Sequence, residues 1–482
     1  MENFDVAIIG AGVSGASVAW QLSKYNIKVA LIEKCVDVGF GVSKANSGII
    51  HGGFHHSCQH TLKAKLEVKG NLMFEALQYQ LNFPFKRNGI LVVAYSDEEM
   101  ETVRILFRQG KANGVRNLEL CGRDRLLQLE PKLSPDVVGG FYVPNGGTIE
   151  PYRYVFALVE GAIRAGVKLY TSFALNKAVN KNGSWELTAA DGRTITATYA
   201  VNAAGLFADD VSRIFQAENF KITPRKGEEY LLDRHTKASV KRVIFPVPSK
   251  VSKGILVIPT VEGTVMIGPT AEMTEDKNAV ETSAGNLQKI LAQVKHMVDG
   301  VSVNDVITSF AGMRPTLPGD DFYIDMSQCA PRLVQVAGIQ SPGLTASPAI
   351  GEYVKDLLKT NGLTLVEKAE PEPELPSPHE IRNLSAAEID ELYQQNPAYA
   401  RVVCRCEKIS EAEIVEAIHK GHTTVDGIKF YTRAGMGRCQ GGFCTERIIK
   451  IICRETGMSP EEITKRGGKS QLITGKLFEV EK

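Results

Sequence analysis

The stretch Asp5-Val-Ala-Ile-Ile-Gly10-Ala-Gly12-Val-Ser-Gly15-Ala-Ser-Val-Ala-Trp20-Gln-Leu-Ser-Lys-Tyr25-Asn-Ile-Lys-Val29-Ala-Leu-Ile-Glu33 alternates an apolar run, a glycine turn, an amphipathic segment and a second apolar run. Residues 6–9 and 29–32 read as buried strands and residues 15–24 as the helix between them, which is one βαβ unit. Gly10, Gly12 and Gly15 carry the G-x-G-x-x-G spacing. The first permits a tight turn, the second lets backbone approach a pyrophosphate, and the third lets helix and strand pack closely. Val13 and Ser14 sit where helix N–H groups would face that anion. Glu33, about 20 residues on and at a strand end, suits a ribose hydroxyl, with Lys34 beside it. A dinucleotide binds here, and NAD and FAD share this fingerprint.

Working outward, 482 residues imply two to four domains at roughly 100–200 residues each, with ample core. A net charge of +1 lacks the phosphate-neutralising surplus of a nucleic-acid binder, so nucleic acid is not an expected partner. No apolar run approaches the roughly 18 residues of a membrane-spanning helix. The opening residues show no basic segment or apolar leader, so cytoplasmic placement is expected. Nine cysteines, an odd number, do not read as a disulfide framework.

Downstream, α and β continue to mix. Residues 63–95 read as helix passing into an extended 89–93, and 97–113 as a helix with Ile105 and Leu106 on its apolar face. Residues 152–165 read as helix, and 168–170, 185–189, 194–197 and 199–203 as strands, with turns at Asn182-Gly183 and Asp191-Gly192. Between 227 and 268, extended segments broken by Pro246, Pro248 and Pro259 suggest an antiparallel layer that would hold substrate. Residues 334–338 lead through Gln340-Ser-Pro-Gly343-Leu-Thr345-Ala-Ser-Pro348 into a helix running to about 358, with Pro348 in its first turn.

Four prolines and three glutamates within 369–378 make an extended spacer. Beyond it, Ser385-Ala-Ala-Glu388 and Ser410-Glu-Ala-Glu413 match the capping box, so the tail folds. There, Cys404-Arg-Cys406 and Cys439-Gln-Gly-Gly-Phe-Cys444 are separated by 32 residues. Four such thiolates can hold an iron–sulfur cluster or zinc. Glycines at 435–442 would let backbone N–H groups approach cluster sulfides. A second dense group, His51, His55, His56, Cys58 and His60, lacks the usual spacing of a closed zinc site.

The glycine fingerprint, Glu33, Asn46-Ser-Gly-Ile-Ile-His51-Gly-Gly53, Ala203-Ala-Gly205, Gly312-Met-Arg314-Pro315 and residues 338–348 together resemble the glycine/D-amino-acid oxidase superfamily of FAD enzymes. Within it, Leu62-Lys-Ala-Lys-Leu66 and Arg225-Lys-Gly-Glu228 are similar to stretches of glycerol-3-phosphate and L-2-hydroxyglutarate dehydrogenases. The cysteine pattern resembles the [2Fe–2S] domain of bacterioferritin-associated ferredoxin.

The resemblance implies an α/β (α+β) architecture: a Rossmann-like FAD-binding domain (1–85, 145–225 and 305–362), an antiparallel-sheet substrate domain (86–144 and 226–304), a linker (363–397) and a small helical [2Fe–2S] domain (398–482). Besides the fingerprint residues, it places Ser43, Asn46, Ser47, Gly48, Val179, Ala204, Gly205, Gly312, Gly343, Leu344 and Thr345 at the FAD. Arg314 would hold the substrate's anionic group, His51 would take the alcohol proton or tune the flavin, and His55 is placed with them as a catalytic residue. Cys404, Cys406, Cys439 and Cys444 would ligate the cluster. Where respiratory glycerol-3-phosphate enzymes carry an Arg-Tyr pair, this chain has His55-His56, which favours L-2-hydroxyglutarate.

The expected activity is dehydrogenation of a small anionic secondary alcohol, sn-glycerol 3-phosphate ahead of L-2-hydroxyglutarate, with electrons leaving through the cluster. Dehydrogenation of an amine of the sarcosine, proline or hydroxyproline type and a non-catalytic electron-transfer subunit are the other readings. The expected partners are an electron-accepting flavoprotein or quinone-linked subunit and further copies of this chain in an oligomer, with peripheral membrane association compatible with the sequence.

Overall fold

The strands Glu2–Ile9 and Val29–Ile32 pair in parallel, Val6 opposite Val29, with the helix Val13–Leu22 between them. Parallel neighbours need such a crossover, and strands buried on both faces are apolar throughout, as both of these runs are. This computed structural model describes residues 2–248, 254–370 and 374–475. Its chain forms two compact units, Met1–Lys34 with Val38–Leu375, and Cys35–Asp37 with Pro376–Lys482.

In the first unit, the parallel strands are the centre of an eight-stranded sheet. Thr194–Asn202 lies on the other side of Glu2–Ile9, and Lys168–Tyr170 beyond Val29–Ile32. The two short strands expected at 194–197 and 199–203 are one strand, Thr194–Asn202. Its first half, alternately buried, pairs with the hairpin strand Ser184–Ala189, whereas its buried second half pairs with Leu333–Ala337.

Gly10 has φ +103°, so only glycine turns the chain there without strain. A Cβ on Gly15 would lie 1.8 Å from the Gly10 carbonyl oxygen. Gly15→Ala is therefore expected to force strand and helix apart, costing about 3 kcal/mol, the upper end for overpacking. Flavin content and the denaturation midpoint check this, with both expected to drop.

A nine-stranded sheet forms the second layer of this unit. Antiparallel pairing dominates it as expected, although Val243–Pro246 runs parallel to Ile90–Ala94. Val306–Thr316 lies antiparallel to Thr223–Leu232, Thr223 opposite Thr316 and Arg225 opposite Arg314. Residues 306–316 and Thr223–Leu232 form one ladder of this sheet, which spans the expected boundaries at 225/226 and 304/305.

Two helices depart from expectation. In Asp97–Ala112 the buried positions are Val103, Leu106 and Gly110, while Ile105 is 60% exposed because it sits one residue off that stripe. Gly343–Thr360 begins earlier than expected, so Pro348 lies inside it rather than in its first turn. Proline supplies no N–H to the carbonyl of Leu344, and the Ser347 hydroxyl donates to that oxygen instead at 2.9 Å.

Residues 371–373 of the expected 369–378 spacer lie outside the described residues. The expected linker 363–397 divides: residues to Leu375 stay with the first unit, where Leu375 N donates to Gln80 O, and residues from Pro376 belong to the second. The second unit contains the helices Ala386–Gln395, Glu411–His419, Val425–Thr432 and Thr445–Thr456 around buried Ile409, Ile414, Ile428, Ile448 and Ile452. Both capping boxes form, at Ser385/Glu388 and Ser410/Glu413. Among the described residues no helix is long and apolar enough to cross a membrane.

Candidate active site and thiol cluster

The fingerprint turn is held open by its neighbours. Ser43 Oγ accepts from Val13 N at 2.9 Å, and Glu33 Oε2 accepts from Ala11 N at 2.8 Å. At Gly12 a Cβ would come within 3.2 Å of Ser43 Oγ, so a side chain there would crowd the space a pyrophosphate uses. Asn46 Oδ1 accepts from Gly48 N at 2.8 Å, and Gly48, at φ +64°, passes so close to Ile149 O that a Cβ would lie 2.4 Å from it. Gly312 presses on Ala45 O, where a Cβ would lie 2.0 Å away. Segment 43–48 is thereby pinned between Ile149–Pro151 and the nine-stranded sheet.

Ala204 and Gly205 follow Thr194–Asn202 at the carboxyl edge of the parallel strands, where ligands bind in such sheets. Lys34 is exposed, its Nζ 3.0 Å from the centroid of the Phe207 ring. Gly343 and Leu344 begin the Gly343–Thr360 helix, and buried Thr345 ties it to the preceding segment by accepting from His51 N at 2.9 Å and donating to Ile49 O at 3.3 Å.

Val179 is not brought to this group. It lies on Leu175–Lys181, a hairpin strand separated from Glu2–Ile9 by two others, and pairs there with Glu186 of Ser184–Ala189. The chain that reaches Glu33 is 170–173: Glu33 N donates to Tyr170 O, and Phe173 N to Glu33 O, each at 2.8 Å. With that exception the residues fit FAD: a glycine cradle that a Cβ would fill, helix N–H groups facing it, and a carboxylate at the ribose end.

His51 is 7% exposed. Its carbonyl accepts from Asn71 Nδ2 at 2.6 Å, and its Nε2 lies 3.3 Å from Ser341 Oγ. Its ring centroid is 5.7 Å from Phe245 and 6.0 Å from His55, which lies against Phe54 at 4.1 Å. Among the described residues no three His, Cys, Asp or Glu side chains converge as a closed metal site.

Arg314 shares a sheet face with Arg225, Gly227 and Glu229, because strand side chains alternate and Arg225 stands opposite Arg314 and Gly227 opposite Gly312. Its Nη2 donates to Thr270 O at 2.8 Å and lies where a Cβ of Gly227 would be, 2.0 Å away. Glu229 was not foreseen. It is buried, accepts from the Ser47 hydroxyl, and its Oε2 has no hydrogen-bond partner among the described residues. Burial pushes its carboxyl up to about 7, against the opposing pull of the Ser47 hydrogen bond and Arg314.

A second charged group, also unforeseen, lies at the far end of this face. Arg225 is 3.6 Å from Asp320, Lys63 Nζ is 2.7 Å from the same carboxylate, and Asp321 accepts from Leu62 N and Lys63 N at 2.7 and 2.9 Å. A cavity of about 400 Å³ opens there, lined by Thr223, Arg225, Met273, Thr316, Leu317 and Asp320. It does not include His51 or Arg314.

In the second unit the four cysteines approach as two pairs. Cys406 Sγ and Cys439 Sγ are 3.6 Å apart, and Cys404 and Cys444 share a hydrogen bond that holds the Cys404 thiol down, to about 6, and the Cys444 thiol up. Backbone N–H groups of Gly435 and Glu407 point at Cys404, and those of Phe443 and Gly441 at Cys439. A Cβ on Gly437 would lie 2.2 Å from Cys406 Cβ, so the loops meet only through glycine. Soft thiolate donors backed by N–H groups are the donor set of an iron–sulfur cluster.

Comparison with known proteins agrees with both units. Residues 5–357 match the FAD dependent oxidoreductase family, and residues 402–454 the BFD-like [2Fe-2S] binding domain. A glycerol 3-phosphate dehydrogenase of Caloramator mitchellensis is 43% identical over 474 residues, 98% of each chain. A glycerol 3-phosphate oxidase of Mycoplasma pneumoniae is 31% identical over 73% of this chain and 93% of its own. The FAD-bound, dithionite-reduced L-alpha-glycerophosphate oxidase of the same organism superposes with a TM-score of 0.74 at 30% identity, covering 78% of this chain and all of that one. An L-2-hydroxyglutarate dehydrogenase of Caenorhabditis elegans is 27% identical over 73% of this chain. The chain therefore belongs to the FAD-dependent oxidoreductase family and carries a C-terminal [2Fe–2S]-binding domain.

Proposed function

We propose that this chain oxidises sn-glycerol 3-phosphate to dihydroxyacetone phosphate and passes the electrons on through its C-terminal cluster. The observation that carries the reading is the 43% identity to a glycerol 3-phosphate dehydrogenase along 98% of both chains, which spans the cluster domain as well as the catalytic unit. The L-2-hydroxyglutarate relatives are 27% and 26% identical, below the 43% and 31% of the glycerol 3-phosphate relatives, which weighs against that substrate.

In this reading Gly10, Gly12, Val13, Ser14 and Gly15 cradle the pyrophosphate, and Glu33 holds the ribose, exchanging its bond to Ala11 N for a hydroxyl. Lys34, Ser43, Asn46, Ser47, Gly48, Ala204, Gly205, Gly312, Gly343, Leu344 and Thr345 line the remainder of the same site. FAD supplies the two-electron acceptor when bound. Arg314 binds the substrate's phosphate through its guanidinium fork. The His51 ring accepts the proton of the secondary hydroxyl as hydride leaves the same carbon, which converts alcohol to ketone with atoms and charge conserved. Phe54, Phe245 and His55 keep water from that ring.

Cys404, Cys406, Cys439 and Cys444 ligate the [2Fe–2S] cluster, which carries one electron at a time to a protein acceptor. Such a route suits a dehydrogenase. Cys406→Ser is expected to lower cluster content by at least the roughly 10- to 100-fold that loss of a supporting partner alone causes. Iron and sulfide analysis checks this, while bleaching of the flavin by substrate persists. The substrate is tested by steady-state assay with a dye acceptor. Dihydroxyacetone phosphate should form from sn-glycerol 3-phosphate, and turnover of L-2-hydroxyglutarate or an amine in its place would overturn the reading.

A further inference from the structure

Glu229 is a buried carboxyl that the proposed chemistry leaves unused. It stands on the face of Thr223–Leu232 that also carries Arg225 and Gly227, opposite Phe310, Gly312 and Arg314 of Val306–Thr316. The facing pair Gly227 and Gly312 makes room that the Arg314 guanidinium and the Ala45 backbone fill, with Glu229 at one end and Arg225 at the other. Arg314 folds back over Gly227, whose Cβ would be 2.0 Å from its Nη2, and so leans toward the carboxyl.

The surroundings of Glu229 are few. From segment 43–48 comes the Ser47 hydroxyl, which donates to Oε1. From Val265–Gly268 comes Gly268, where a Cβ would lie 3.0 Å from Glu229 Cγ. Among the described residues Arg314 is the one charged group acting on it, and Arg225 acts in turn on Arg314. Oε2 has no hydrogen-bond partner among the described residues.

We propose that Glu229 is a positioning residue that links anion binding at Arg314 to proton uptake: it orients Ser47 and counter-charges Arg314 when no anion is bound, and becomes protonated when an anion takes the guanidinium. The inference rests on the reading of Arg314 as the residue that binds the substrate's anionic group.

Two anions, one of them the buried Glu229 carboxylate, cannot both be compensated by one half-buried guanidinium, because like charges in a desolvated site repel strongly. An arriving phosphate or sulfate removes the pull that Arg314 exerts on Glu229, and burial then favours the neutral carboxyl. By reciprocity an ionised Glu229 weakens the anion. The sign follows: affinity is highest where Glu229 is protonated and falls as pH rises through about 7, where burial has brought this group. The neutral carboxyl can still accept from Ser47, so that hydroxyl keeps its place in both states.

The test titrates FAD-loaded full-length protein with sodium sulfate, an anion that carries no titrating proton near neutral pH. Isothermal titration calorimetry is run in two buffers of different ionisation enthalpy. Wild type should bind sulfate about tenfold more weakly at pH 8.5 than at pH 6, within the usual range of such couplings, with net proton uptake near pH 7.5. Glu229→Gln should bind with little pH dependence and no uptake, Glu229→Asp should restore the linkage, and Arg314→Met should abolish binding.

Absence of sulfate binding to wild type, affinity independent of pH, or unchanged uptake in Glu229→Gln would overturn the proposal. If Glu229→Gln does not fold, as judged by flavin content and melting, Glu229→Met, which fills the same buried space without a titrating group, takes its place with the same expectation and the same overturning result. Undiminished binding to Arg314→Met would instead strike the role of Arg314. Linkage with sulfate alongside inertness toward sn-glycerol 3-phosphate would strike the substrate reading alone.

Discussion

Arg314→Met is expected to lose about 10²–10³-fold in kcat/KM toward sn-glycerol 3-phosphate. A bidentate charged contact contributes about 2–5 kcal/mol when its partner would otherwise be left unpaired, and each 1.4 kcal/mol is a factor of ten. Most of the loss should appear in KM, because the phosphate is held equally in ground and transition states. The substitution is well placed, since methionine fills the stem of the side chain over Gly227 and what it removes is one bond to Thr270 O and the charge facing Glu229. Glu229 then becomes more readily protonated, so no buried charge is stranded. Steady-state kinetics with a dye acceptor measures this, and an unchanged KM would exclude Arg314 from phosphate binding.

His51→Gln should act on the other parameter. If the His51 ring takes the hydroxyl proton, kcat should fall about 10²–10⁴-fold with KM nearly unchanged, the range for losing a general base. The two buried hydrogen bonds that fix residue 51 use its backbone, N to Thr345 and O from Asn71, so the variant should fold and keep its flavin. A fall of less than tenfold would leave His51 as a residue that tunes the flavin without moving the proton. Because Arg314 and His51 act on different ends of the substrate, their effects should add in free energy when combined.

The βαβ unit was readable because each of its requirements is local. A buried strand, a positive-φ glycine, a close helix–strand approach and a strand-end carboxylate all fall within residues 5–33. The four cysteines stand in the sequence as two short spacings, and folding brings one thiol of each to one of the other, Cys406 to Cys439 and Cys404 to Cys444. Glu229 and Asp320 were not readable. Glu228 and Glu229 are identical as letters, and only the register with Val306–Thr316 shows that Glu229 shares a face with Arg314, whereas Glu228 turns to Ser283 and Asn286.

Where resemblance stood in for geometry, as at Val179, the hairpin offset placed the residue away from Glu33 and brought 170–173 there instead. The extent of the Gly343–Thr360 helix was hidden because Pro348 looks like a helix start. The Ser347 hydroxyl satisfies the Leu344 carbonyl, and only the folded chain reveals that compensation. The pairing of Val306–Thr316 with Thr223–Leu232 was hidden because sheet partners are distant in sequence.

The central claim joins a substrate, a flavin site and a cluster in one chain. It is tested most directly by titrating the anaerobic holoprotein with sn-glycerol 3-phosphate while following the flavin absorption and the electron paramagnetic resonance of the reduced cluster. The account predicts that the flavin bands bleach and that the signal of a reduced [2Fe–2S] centre then appears, lost in Cys406→Ser. A flavin that stays oxidised with this substrate, or bleaches without any cluster signal in the wild-type protein, would contradict it.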